Sequence, residues 1–154
     1  MKLSDYLEES GILLDITGDS KSEILSKLVE ILANMVSIND SAEIMKTLQD
    51  REKLKTTGIG SGIAIPHCKS SEVDRVHVVL GISRQGIDFD SLDQQPANFF
   101  FLLVAPENAG SEHLKASAKI VRLVRDDTVR EHLLKMNSAK DVLEYIKSKE
   151  DASA

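Results

Sequence analysis

Apolar positions along this chain follow two different periods. The run Ile12-Leu13-Leu14-Asp15-Ile16, closed by Gly18, reads as a strand. Ser20-Lys-Ser-Glu23 then has the form of a capping box, with a hydroxyl and a carboxylate placed to satisfy the first free N–H groups of a helix. Ile24, Leu28, Ile31 and Met35 follow at helical spacing, which predicts an amphipathic helix. A second helix is predicted after Asp40, through Ile44, Met45 and Leu48 to about Leu54. Ile63-Ala64-Ile65 reads as a short strand that Pro66 ends. Val76 to Ser83 is another, with Gln85-Gly86 as a turn. Asn98 to Ala105 is apolar on both faces and so reads as a central strand, stopped by Pro106. Three helices complete the pattern. One opens at Ser111 and runs to about Arg125, and one opens at Asp127 or Thr128 and covers Val129 to Met136. The last follows a cap at Ser138 and carries Val142, Leu143 and Ile146. The tail Asp151-Ala-Ser-Ala, from about residue 150, is expected to fray. Strands interleaved with helices on either side predict an α/β layer fold.

Composition narrows the function. A chain of 154 residues suits one domain, 1–154, with a core large enough to need no disulfide or metal. The net charge of −6 disfavours a general nucleic-acid binder. Aromatics make up 4% with no Trp, too few for a stacking platform. The single cysteine, Cys68, excludes an internal disulfide and fits a reducing compartment. No signal pattern opens the chain, and the longest apolar stretch, Phe99 to Ala105, is too short to cross a bilayer. The expectation is a cytoplasmic protein with no membrane insertion.

Charge is distributed unevenly. Residues 51–69 hold Arg51, Lys53, Lys55 and Lys69 against Glu52 alone, a local +3 that leaves −9 for the remainder. Gly58, Gly60 and Gly62 sit in this cationic segment. Glycine lets backbone N–H groups approach a ligand and form an anion-binding concavity. The same pattern also describes a flexible turn bearing solvated lysines. A Walker loop is excluded because Ile63, not Lys, follows Gly62. The dinucleotide fingerprint fails because Ile63 stands at its third glycine and the segment leads into a strand.

His67 follows Ile-Ala-Ile-Pro, so a strand delivers it and Pro66 stiffens the approach. A neutral imidazole held through one nitrogen is a competent nucleophile at the other. A structural turn histidine has the same surroundings. His113 falls in the first turn of a predicted helix, where N–H groups attract anions, and shares a face with Ser117, Ile120 and Val124. His77 and His132 read as structural. Cys68 beside His67 admits a zinc site or a Cys–His dyad with His113 as base, but lacks the paired ligands zinc favours.

Glu52, Ile59-Gly60 and Ile63-Ala-Ile-Pro-His67 together resemble the phosphorylation-site pattern of fructose/mannitol-type enzyme IIA domains of the bacterial phosphoenolpyruvate phosphotransferase system. The run Thr57-Gly-Ile-Gly-Ser-Gly-Ile-Ala-Ile-Pro-His67 is most similar to the nitrogen-regulatory IIA branch. The resemblance extends from Ile12 to about Ile146. It implies a mixed, about five-stranded sheet with helices on both faces. It further implies that His67 accepts a phosphoryl group, with Arg51 and His113 lining the site and the loop Gly60-Ser61-Gly62 contributing phosphate-binding N–H groups. The implied donor is a histidine-phosphorylated phosphocarrier of the HPr/NPr kind. The implied downstream partner is a IIB protein or a regulatory target. No cofactor and no metal are implied. Ser61 stands where sugar-specific relatives often carry a carboxylate, Cys68 where a glycine is usual, and Ala116 and Ser117 where bulky apolar residues are typical. A sugar-specific IIA passing phosphate to a separate IIB, a non-catalytic binding module and a metal-dependent hydrolase are the alternatives.

Overall fold

The computed structural model describes residues 2–153. A 3-10 turn, Leu3–Asp5, leads into β1, Leu7–Leu14. This strand starts five residues before the apolar run that predicts it, and Ile16 lies beyond its end. α1, Lys21–Met35, begins after Ser20, whose Oγ accepts from the Glu23 N–H at 3.1 Å. The Glu23 carboxylate reaches back to the Asp19 N–H at 2.9 Å, one residue further than a standard capping box. α2, Ser41–Leu54, is capped by Asp40. Then come β2, Gly58–Gly60, β3, Ile63–Ala64, and β4, His67–Ser70. β5, His77–Ile87, continues through the expected Gln85-Gly86 turn, because Gly86 takes φ 81° and the ladder absorbs it as an irregularity. β6, Ala97–Pro106, is followed by α3, Glu112–Val124, α4, Asp127–Lys135, and α5, Ala139–Ser153.

The sheet order is β1-β5-β6-β3-β2, with β4 also paired to β6. β1 runs parallel to β5, and β3 and β4 run parallel to β6. β5 is antiparallel to β6, and β2 to β3, so the sheet is mixed. β6 is the central strand that its two apolar faces predict; only Asn98 along it escapes full burial. One face packs Val78, Leu80, Phe101 and Leu103 against Ala116 and Ile120 of α3, Leu133 of α4 and Ile146 of α5. The other packs Val79, Phe100 and Leu102 against Leu28 and Leu32 of α1 and Leu48 of α2. Helices therefore cover both faces.

The C-terminal tail does not fray where expected. α5 continues to Ser153, Glu150 accepts from the Ser4 N–H at 3.0 Å, and Asp151 pairs with Lys2. Ala154 lies outside the described residues. Among the described residues no helix is long and apolar enough to cross a membrane.

Candidate functional site

β3 and β4 are two pieces of one strand. Ile63 lies opposite Phe99, Ala64 opposite Phe100 and His67 opposite Leu103, so the offset to β6 stays constant across the break. Pro66 has no N–H to give the ladder, but its carbonyl still accepts from the Leu103 N–H at 2.9 Å. His67 therefore opens a continued strand, whereas the sequence pattern places it beyond a strand end. β2 pairs with β3 and stops there, which leaves the outer edge of β4 without a strand partner among the described residues.

Side chains alternate along this interrupted strand. Ile63 and Ile65 point to the α3 side, and Ala64 and Cys68 to the α2 side. His67 and Lys69 share the parity of Ile63 and Ile65. At the open edge, helices from opposite faces of the sheet meet. They enclose a cleft of about 240 Å³ lined by Thr47 and Arg51 of α2, His67, Cys68 and Lys69 of β4, Leu103 of β6 and His113 of α3. The structure thus brings His67, Arg51 and His113 into one cavity.

Each is held by a local cause. The half-buried His67 ring places Nδ1 2.8 Å from the Ile65 carbonyl oxygen. A carbonyl only accepts, so Nδ1 carries the hydrogen, and in the neutral ring the lone pair is on Nε2. Arg51 lies in the last turn of α2 and donates from Nη1 to the Lys55 carbonyl at 3.0 Å. Next to it, Glu52 turns inward and is 9% exposed. Its carboxylate accepts from the Thr57 N–H at 3.1 Å and from the Thr57 hydroxyl, and it pairs with Lys21 at 2.9 Å. The Lys21 ammonium also sits 4.9 Å from the Phe89 ring centroid. His113 is in the first turn of α3, whose cap residue Ser111 makes no side-chain hydrogen bond to the helix. Ala116, Ile120 and Val124 form the buried stripe of α3, with His113 and Ser117 half-buried beside it. The His113 Nδ1 is buried without a hydrogen-bond partner.

Other expected residues stand apart. Gly60, Ser61 and Gly62 do not line the cleft; they form the β2–β3 turn with φ of 101°, 57° and 79°. Two consecutive positive φ angles at Ser61 and Gly62 suit a hairpin turn, and Gly62 relieves the strain there. The Ser61 N–H donates to the Asp93 carboxylate at 3.0 Å, so this concavity already holds an anion of the chain itself. The N–H groups of Ser61 and Gln95 hold the Asp93 carboxyl below its usual range. His77 is buried, and desolvation lowers its pKa. His132 places Nδ1 2.8 Å from the Thr128 carbonyl and stacks on Tyr145, as a structural residue does.

Cys68 borders the cleft, but its side chain packs in the opposite core, and burial pushes the thiol up to about 12. A protonated, buried thiol is neither a ready nucleophile nor a metal ligand. Among the described residues no three His, Cys, Asp or Glu side chains converge as a metal-binding group. Native Cys68 is expected to resist alkylation near pH 8 and to react at once in denaturant, which a time course with iodoacetamide checks. Its folded-state pKa exceeds the ordinary 9.0, so its contribution to stability is full below pH 9 and is lost as pH rises towards about 12.

Two residues that the sequence names, Glu52 and Lys69, take positions that its reading did not assign. Ile44, Leu48 and Glu52 recur every fourth position, a stripe that places Glu52 on the buried face of α2. Lys69 follows His67 by two, and becomes visible once residues 67–70 are seen as a strand.

Comparison with known proteins places the chain in a family. Residues 5–149 match the family described as phosphoenolpyruvate-dependent sugar phosphotransferase system, EIIA 2. A nitrogen regulatory protein of Bradyrhizobium diazoefficiens is 38% identical over 133 residues, covering 86% of each chain. The fructose-specific EIIABC component of Bacillus subtilis is 33% identical over 146 residues, which are 95% of this chain but only 23% of that longer protein. The crystal structure of the nitrogen regulatory protein IIA-Ntr from Neisseria meningitidis superposes with a TM-score of 0.85 at 31% identity, covering 94% of this chain and 98% of that one. With its mixed sheet, its helices on both faces and this match over most of its length, the chain belongs to the EIIA type 2 family of the phosphoenolpyruvate-dependent phosphotransferase system.

Proposed function

We propose that this chain, acting as a single cytoplasmic domain, accepts a phosphoryl group on His67 Nε2 from a histidine-phosphorylated phosphocarrier of the HPr/NPr kind and serves as a nitrogen or metabolic regulator. The observation that carries this reading is the Nδ1 contact to the Ile65 carbonyl, which makes Nε2 the lone-pair nitrogen of the neutral ring, in a cleft shared with Arg51 and His113. In the transfer, the donor's P–N bond breaks and its electron pair returns to the donor ring nitrogen. The Nε2 lone pair forms the new P–N bond, and the hydrogen stays on Nδ1, donated to the Ile65 carbonyl. Such a transfer passes through a loose transition state with charge on three equatorial oxygens. The Arg51 guanidinium, a ring N–H of His113 and the positive end of α3 are the groups placed to meet that charge.

The regulatory branch is supported by the 38% identity to the Bradyrhizobium nitrogen regulatory protein. The 33% identity to a fructose-specific component favours a second reading, in which a separate IIB protein takes the phosphoryl group onward. Incubation with phosphoenolpyruvate, enzyme I and a phosphocarrier tests the first step. The protein is expected to gain the mass of one acid-labile phosphoryl group; no gain overturns the proposal. Adding candidate IIB proteins then separates the two branches. His113→Ala is expected to slow labelling by about 100-fold, the usual cost of one lost oxyanion donor, while leaving its final site unchanged. Rapid-quench labelling followed by peptide mapping measures both.

A further inference from the structure

We propose that Lys69 supplies the second positive charge to the phosphoryl group on His67, an inference that rests on the phosphoryl-acceptor reading above. The two residues are two positions apart on β4, so strand alternation sends both side chains to the same side, with α-carbons about 7 Å apart. Both line the cleft. No Asp or Glu lines it with them, so its only permanent charges are Arg51 and Lys69. A phosphoryl group on nitrogen is close to a dianion near neutral pH, and Arg51 alone compensates one charge. The Arg51 guanidinium is also partly committed to the Lys55 carbonyl.

Lys69 has no such commitment. It is exposed, and among the described residues it makes no ion pair and no side-chain hydrogen bond. Its neighbours differ in this respect. Cys68 is locked into the opposite core, Lys21 is held by Glu52, and Lys53 and Lys55 do not line the cleft. A lysine is a compact charge on a long flexible stem. It can follow the phosphoryl group from the donor ring to Nε2, whereas Arg51 is fixed at the end of its helix. Arg51, His113 and Lys69 together provide three donors for three equatorial oxygens.

The test compares wild type with Lys69→Met, Lys69→Arg, Lys69→Glu and, as a control, Lys53→Met. It reads kcat and KM for transfer from the phosphocarrier, the lifetime of the isolated phosphoprotein and the thermal midpoint. Lys69→Met is expected to lower kcat by about 10- to 100-fold and to shorten the phosphoprotein's lifetime, with the thermal midpoint unchanged. Lys69→Arg should recover most of the rate, Lys69→Glu should be slower than Lys69→Met, and Lys53→Met should match wild type. Wild-type kcat in Lys69→Met overturns the inference. So does a loss confined to KM, which makes Lys69 a docking charge. If wild type labels on His67 while Lys69→Met labels equally fast, this inference falls and the acceptor reading stands. If wild type takes no label, the acceptor reading itself has failed.

Discussion

His67→Ala is expected to take up no phosphoryl group under conditions that label wild type completely. The substitution removes the imidazole whose Nδ1 contact to the Ile65 carbonyl turns its Nε2 into the lone-pair nitrogen, in the cleft that Arg51 also lines. His113 cannot replace it on this reading, because it sits at the start of α3 as a donor to the phosphoryl oxygens. The variant should still fold. His67 is half-buried, and its loss frees one hydrogen bond to the Ile65 carbonyl, about 1 kcal/mol. Intact-mass measurement after incubation with the upstream proteins decides the matter, with circular dichroism as the folding control. Full labelling of the variant would place the acceptor on another residue.

The second large effect is on stability. Glu52→Ala leaves the Thr57 N–H and hydroxyl without their acceptor and strips Lys21 of its ion-pair partner. Removing one member of a buried pair costs about 3 to 5 kcal/mol, and Lys21 is 26% exposed, which puts this pair near the lower figure. For a chain of this size that lowers the thermal midpoint by about 6–12 °C. Glu52→Gln keeps the shape and one acceptor, so it should lose less. The damage should reach the chemistry too. Glu52 holds the Thr57 N–H, the Thr57 carbonyl accepts from the Ile65 N–H at 3.0 Å, and the Ile65 carbonyl accepts from His67 Nδ1. Four residues thus hand the position of a helix end on to the orientation of one imidazole. Differential scanning calorimetry and the labelling rate of the same variants test both halves. A Glu52→Ala protein with an unchanged midpoint would show that the buried carboxylate contributes nothing.

Much of this was legible in the sequence. The helices announce themselves through spacing and caps: Ser20 and Ser138 accept the hydrogen bonds their positions promise. The centre of the sheet follows from the two apolar faces of β6. Other features were hidden because their causes are tertiary. β4 is a four-residue strand, His-Cys-Lys-Ser, with poor intrinsic preference, and its partner β6 imposes its conformation. β5 runs past Gly86 for the same reason. The glycine loop shows a different limit. Its Ser61 N–H does face a negative charge, but a loop more than 30 residues later supplies it. Local pattern identifies an anion-seeking turn and cannot name the anion.

The constant register across Ile65-Pro66 has one more consequence. Because neighbouring positions on a strand face opposite ways, the length of that break sets which side chain is presented outward. Deleting a single residue there would turn the imidazole into the apolar interior and present the thiol in its place. Spacing at this point therefore constrains chemical identity as strictly as the choice of histidine does.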